Sequence, residues 1–167
     1  VNKSSATTVT LHVVSVTHDP VVSTINSRYV QEDGTISGIA FSVSDEDVGD
    51  TFDVTVSSAD EKMLVADEDH AVVKSLGSGN YTLSLTPVAD SSGQVSVTVT
   101  VTDKAGNVGA TTFTLHILAQ NDAPVAVDDV ASLDEDGSLE LNLLGNDSDA
   151  DKDQIWVTTI STPSNGY

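Results

Sequence analysis

Residues 95–101 read VSVTVTV, and this heptad decides the fold class. Val95, Val97, Val99 and Val101 alternate with hydroxyl side chains. A period of two sends every second side chain of a strand to the same face, so this segment is a β-strand with one apolar and one polar side. Tyr81, Leu83 and Leu85 repeat the pattern in YTLSLTP. Around these runs lie GSGN (77–80), PVADSSG (87–93) and DKAGN (103–107), rich in the residues that reverse a chain. Extended outward, the same reading predicts seven strands: Val21–Val30, Thr35–Val43, Thr51–Ser57, Lys62–Ser75 (broken at Asp67–His70), Asn80–Thr86, Gln94–Thr102 and Val108–Leu118. Seven short strands at this spacing predict an all-β, Greek-key β-sandwich. No segment sustains a 3.6-residue apolar period, so almost no helix is expected.

The composition fits that reading and narrows function. Of 167 residues, 26 are Asp or Glu and 6 are Lys or Arg, a formal charge of −20. Nucleic acids and anionic membrane faces are polyanions that need basic clusters, so neither is expected as a partner. Without cysteine there is no disulfide framework, thiolate metal site or cysteine nucleophile. No apolar run approaches the length of a membrane span, and no basic segment followed by an apolar stretch opens the chain. Asp outnumbers Glu by 20 to 6, which places the acids in turns and caps rather than on helix surfaces.

An internal repeat organises the chain. Residues 6–20 read ATTVTLHVVSVTHDP and residues 110–124 read ATTFTLHILAQNDAP, an offset of 104. Val21 then matches Val125 and, with a one-residue slip, Glu32-Asp33-Gly34 matches Glu135-Asp136-Gly137. Ser44-Asp45-x-Asp47 matches Ser148-Asp149-x-Asp151. Three parts are therefore expected. Residues 1–19 form the last strand of a preceding repeat. Residues 20–122 form one complete sandwich. Residues 123–167 form the first strands of a following repeat, with the two flanking parts open to pairing with a neighbouring chain.

In a seven-strand sandwich the chain alternates between two poles, and this sorts the acids. The bottom of the complete unit collects Glu32, Asp33, Asp90, Asn121 and Asp122, and the top of the following unit adds Asp149 and Asp151. These seven oxygen-bearing residues are expected to meet at one junction. Like charges so close repel unless a cation intervenes, and Lys152 is the one basic residue in these loops. Calcium accepts 6–8 oxygens at about 2.3–2.6 Å from flexible ligands, whereas magnesium suits such a carboxylate-rich site less well. A second, partial set is expected at the other junction: Asp19, Asp45, Asp47 and Asp103. It should bind weakly or not at all, since the ligands of a preceding unit are not in the chain.

The linker QNDAP (120–124), the early acids Glu32-Asp33 and Asp134-Glu135-Asp136, and the Asp-x-Asp pairs at 45/47 and 149/151 carry a resemblance. So do Thr102-Asp103 followed by Gly106-Asn107, and the phrase NYTLSLTPVADSSGQVSVTVTVTD (80–103). Together they resemble the tandem cadherin-like or Ig-like repeats of giant bacterial surface adhesins of the type I secreted, RTX type. The resemblance spans essentially the whole chain. It implies calcium ions between successive domains, which stiffen an extracellular rod used in cell adhesion and biofilm formation. It assigns Glu32, Asp90, Asn121, Asp122, Asp149 and Asp151 to the ligand set. Two departures stand out: the 87–93 loop has one acid, and the first linker reads THDP, placing His18 where an aspartate is expected.

Other motifs lead nowhere stronger. Asp149-x-Asp151-x-Asp153 starts like an EF-hand loop, but Gln154 and Ile160 stand where glycine and glutamate are required. The glycine-rich nonapeptide of calcium β-rolls is absent. Asp128, Asp129 and Asp134–Asp136 are read as solvated, and Asp67, Glu68 and Asp69 as a solvated turn. His12 and His116 occupy equivalent strand positions and are read as surface residues. Trp156 is read as a core anchor rather than a sugar platform. Asn80-Tyr81-Thr82 and Asn146-Asp147-Ser148 match a short glycosylation sequon. No nucleophile elbow, HExxH motif or phosphate-binding glycine loop is present, and no enzymatic activity is expected. The expected partners are neighbouring repeats of the same polypeptide, with a glycan or cell-surface ligand open. The alternative function is a calcium-dependent carbohydrate- or protein-binding module of the same fold.

Overall fold

The computed structural model describes residues 6–13, 16–47, 49 and 51–161. The alternating sequences form strands as their periodicity dictates. In chain order these are β1 (Val21–Val22), β2 (Arg28–Gln31), β3 (Ile36–Ser44), β4 (Asp53–Ser58), β5 (Ala71–Gly77), β6 (Asn80–Leu85), β7 (Gly93–Thr102) and β8 (Val108–Leu118). They make two four-stranded sheets, ordered β1-β3-β6-β5 and β2-β8-β7-β4. Among the described residues no helix is long and apolar enough to cross a membrane.

β7 sets the core. Val97, Val99 and Val101 are fully buried and Val95 nearly so, while the intervening Ser and Thr face outward. Ile39, Leu64, Leu83, Leu85 and Leu115 meet them from the other elements. Burying each such side chain contributes about 1.5–3 kcal/mol before entropy is counted. On the outer face, Thr98 and Thr112 hydrogen-bond across β7 and β8 at 2.9 Å. Tyr29 stacks on His116 with ring centroids 4.5 Å apart, so His116 is a paired surface residue.

Two strands differ from the sequence expectation. The single strand expected over Val21–Val30 is divided between the sheets. β1 runs antiparallel to β3, while β2 runs parallel to β8. The division occurs at Ser23, whose hydroxyl accepts the Ser42 N–H at 2.9 Å. Ile25 then plugs the core between the sheets. The strand expected over Lys62–Ser75 is confined to Ala71–Gly77. Ahead of it, Asp60 Oδ1 accepts the Lys62 N–H at 2.9 Å, and Asp67 Oδ1 accepts those of Asp69 and His70 at 3.1 and 2.9 Å. These carboxylates hold turns that compete with strand pairing. The turn expected at Asp67–Asp69 is therefore present, and it is closed by a 2.7 Å contact between Asp67 and the His70 imidazole.

Among the described residues, the segments before β1 and after β8 add no strand to either sheet. Residues 6–13 join no strand, and Val9, Leu11 and Val13 are exposed. Residues 123–161 form one isolated bridge, Val125 with Ser148. That bridge repeats, 104 residues on, the Val21–Ser44 pairing of β1 with β3. Trp156, expected as a core anchor, is 70% exposed among the described residues. The first linker is fixed more firmly. Pro20 is buried against β8, where Gly109 gives it room: a Cβ there would lie 1.8 Å from the Pro20 carbonyl oxygen.

Candidate metal centre

β2 delivers the first acids to the lower pole. It ends in a tight turn in which Gly34 N–H donates to Gln31 O at 3.0 Å and Glu32 N–H to Leu118 O at 3.1 Å. The turn folds the Glu32 side chain inward, leaving it 3% exposed. Its Oε1 accepts the Gln120 N–H at 2.5 Å, which ties the outgoing linker to the loop. Asp33 stays at the surface, and its Oδ1 accepts the Asp90 N–H at 3.3 Å. Asp90 sits at φ 56°, a left-handed conformation that Asp tolerates better than most residues. That bend brings the loop before β7 against the β2–β3 turn.

The linker completes the cluster. Asp122 donates its backbone N–H to Asp151 Oδ2 at 2.6 Å, bringing a carboxylate from the following segment to this pole. Two groups of carboxylates result, each with one oxygen per residue within 4.8 Å of the others: Glu32, Asp122 and Asp151, and Asp33, Asp90 and Asp122. Asp122 belongs to both. Its Oδ2 is shielded from solvent and has no hydrogen-bond partner among the described residues. Burial first, then the charges of Asp33, Asp151, Asp90 and Glu32, push the Asp122 carboxyl above its ordinary value. An orphaned oxygen amid four further carboxylates fits a hard divalent cation, which would supply the missing positive charge and accept oxygens at flexible distances.

The expected set also included Asn121 and Asp149, and Asp149 is in neither carboxylate group. Asn121 donates its side-chain amide to the Asp122 carbonyl at 2.7 Å. Asp149 turns toward its own loop, accepting the Asp153 N–H at 3.1 Å. Asp149 and Asp122 do line a common groove of 580 Å³ with Trp156.

The upper pole gathers the second set differently. His18 donates its backbone N–H to Asp47 Oδ2 at 2.8 Å, and its Nδ1 lies 3.2 Å from Asp47 Oδ1. Its Nε2 lies 3.4 Å from Glu46 Oε2. The side-chain hydrogen bond to Asp47 raises the imidazole above its ordinary value. In return the backbone and side chain of His18 lower Asp47. Asp45 Oδ1 accepts the Asp47 N–H at 2.9 Å, while its Oδ2 is shielded and unpartnered among the described residues. Asp19 and Asp45 line a hollow of 410 Å³ with His18 and Glu46. Asp103 is committed elsewhere. Burial would raise its carboxyl, but the Asn107 side chain and backbone N–H, at 2.7 and 2.8 Å, hold it below its ordinary value and lock the β7–β8 turn.

The sequence reading did not anticipate the His18–Asp47–Glu46 cluster. The signal was the alignment of THDP with NDAP, which sets His18 opposite Asp122. A ring spanning two acidic side chains is a tertiary outcome that the alignment alone does not give.

The sheet order, with the leading strand shared between sheets, is that of an immunoglobulin sandwich. Among solved structures the chain is similar to the M1 domain from titin, at 12% identity and a TM-score of 0.40, over 62% of this chain and 96% of that one. It is similar to the tandem Ig repeats of Dlar at 16% identity and a TM-score of 0.44, over 66% and 55%. An endo-fucoidan hydrolase from glycoside hydrolase family 107 aligns at 18% identity and a TM-score of 0.45, over 60% of this chain and 14% of the hydrolase. A search of curated proteins finds no match. The model of one protein family matches twice, at residues 17–116 and again at 121–167, in agreement with the internal repeat. The chain belongs to the bacterial Ig domain family.

Proposed function

We propose that this chain is a structural Ig-like repeat of an extracellular bacterial adhesin, and that calcium at the lower junction fixes one repeat against the next. One observation carries the reading: Glu32, Asp33, Asp90, Asp122 and Asp151, from four separate stretches of sequence, meet in two carboxylate groups that share Asp122, whose Oδ2 is orphaned. The fold supplies the logic. Glu32, Asp33 and Asp90 belong to the complete sandwich, Asp122 to the linker and Asp151 to the following segment. A cation held by all three couples them, so its binding energy appears as fixed orientation and added stability. Without it the acids repel and the joint flexes. The role is mechanical rather than catalytic, as a stiff spacer in a rod for cell adhesion and biofilm formation.

Calcium titration by calorimetry tests this, with Asp122→Ala and Asp151→Ala as controls. Wild type is expected to bind and both variants to lose most of the affinity. Chelator should lower the melting temperature and shorten the particle in X-ray scattering. A wild-type protein indifferent to calcium in all three measurements sinks the proposal. A second reading, a calcium-dependent carbohydrate-binding module, rests on Trp156, exposed in the groove beside Asp149. Reproducible glycan-array binding in calcium, abolished by Trp156→Ala, would favour it.

A further inference from the structure

Among the five carboxylates of the lower pole, that of Asp90 alone stands on a left-handed backbone, at φ 56°. Asp90 is the third residue of a turn closed by the Ser91 N–H, which donates to the Val88 carbonyl at 3.3 Å. A positive φ at that position suits glycine or asparagine, and holding another residue there costs conformational energy. What holds the turn comes from outside it. The Val88 N–H donates to the Met63 carbonyl at 3.0 Å. The Ser91 hydroxyl shares its proton between the Met63 carbonyl, at 3.3 Å, and the Val88 carbonyl. Met63 is itself fixed, in the segment between β4 and β5. Its N–H and that of Leu64 both reach the Asp60 carbonyl at 3.1 Å, and Leu64 is fully buried in the core. The Met63 side chain lies against Gly93, where a Cβ would be 2.8 Å from its Cε.

The acids of this pole have reason to part. Asp33, Asp90 and Asp122 present oxygens within 4.8 Å of one another with no basic side chain in the group, and like charges at that range repel. The bond from the Asp90 N–H to Asp33 Oδ1, at 3.3 Å, is longer than the usual range. We infer that Ser91 is a positioning residue of the lower metal centre: its hydroxyl ties the Asp90 turn to Met63 and so holds the Asp90 carboxylate beside Asp33 and Asp122 before a cation arrives. The inference rests on the calcium reading of that centre and adds to it a residue that coordinates nothing. A serine hydroxyl is short enough to reach backbone within its own turn, and it adds no charge to crowded acids. A carboxylate already in place spares the cation the cost of ordering a loop, so a loosened turn appears as lost affinity.

Calorimetry of the full chain with calcium alone compares wild type, S91A, D90N and D90N/S91A. S91A is expected to bind roughly three- to tenfold more weakly, the range that one hydrogen bond covers. D90N is expected to weaken binding as well, with the Glu32, Asp122 and Asp151 group keeping the remaining affinity measurable. Adding S91A to D90N should then change nothing further, because the hydroxyl acts through the Asp90 carboxylate. Hydrogen exchange in chelator gives a reading without metal. S91A should speed exchange at the Val88 amide and leave that of Val97, in β7, as it is in wild type. S91A or D90N that binds calcium as wild type does, or an S91A loss of equal factor in both backgrounds, overturns the inference while the calcium reading stands. Faster exchange at Val97 also overturns it, since it marks a weakened fold rather than a displaced loop. Wild type that ignores calcium removes both.

Discussion

At its lower pole this Ig-like unit gathers four carboxylates with that of Asp122, which carries an orphaned oxygen; at its upper pole an imidazole lies between Asp47 and Glu46. The backbone framework is common to both, down to the N–H donated to the second acid of each Asp-x-Asp pair. The repeated backbone therefore carries different side chains at the two poles, among them His18 against Asp122 and Glu46 against Ala150. Acids that gather without a basic partner repel one another, and burial first, then this repulsion, raises the Asp122 carboxyl. At the upper pole the His18 ring lies within reach of two acids.

The largest expected effect lies outside both junctions and separates scaffold from seam. Leu83 is fully buried, and Leu83→Ala should cost about 2–5 kcal/mol in urea unfolding. Calcium should still add its usual increment to that variant, because the sites share no partners. A lost increment would mean that the lower junction reports core packing rather than local charge.

Calcium removal comes next. At a calcium concentration one hundred times the dissociation constant, the lower junction should add about 2.7 kcal/mol, all of it abolished by chelator in scanning calorimetry. Hydrogen exchange at the His18 and Asp47 amides should not change with chelator. Equal loss of protection at both poles would break the comparison.

A smaller effect isolates the upper pole. Gly109→Ala places a methyl group against the Pro20 carbonyl, and relieving that overlap should cost about 1–3 kcal/mol by shifting the first linker. Calcium affinity at the lower junction should be unchanged, which calorimetry checks. The smallest effect involves a histidine–aspartate pair outside both carboxylate groups. The His70 side chain, then its backbone, hold the Asp67 carboxyl below its ordinary value of 3.8. A lowered folded value means that folding favours the ionised form. The contribution is present above pH 3.8 and fades as pH falls through the lower folded value. Asp67→Asn should therefore flatten the acid limb of the melting-temperature profile and leave the neutral region nearly as it was, apart from the loss of the turn's hydrogen bonds.

Much of the fold was legible in local pattern. The alternation of Val95–Val101 and of Tyr81–Leu85 gave β7 and β6 directly, since a period of two needs no partner to be recognised. The division of Val21–Val30 was not legible, because nothing local distinguishes a strand that stays in one sheet from one that changes sheets at Ser23. The placement of Glu32, Asp33, Asp90, Asp122 and Asp151 at one pole followed from strand order, and their carboxylates do meet. Asp103 escaped local reading because its engagement by Asn107 depends on how tightly the β7–β8 turn closes.

The sequence by itself determined the strand-forming segments, the repeat of 104 residues and the pole to which each acid belongs, because periodicity and chain order are properties of a line. Tertiary structure alone decided that Asp122 would be the shared, unpartnered carboxylate and that His18 would reach both Glu46 and Asp47. Those outcomes depend on distances of a few ångströms between loops, and packing sets such distances.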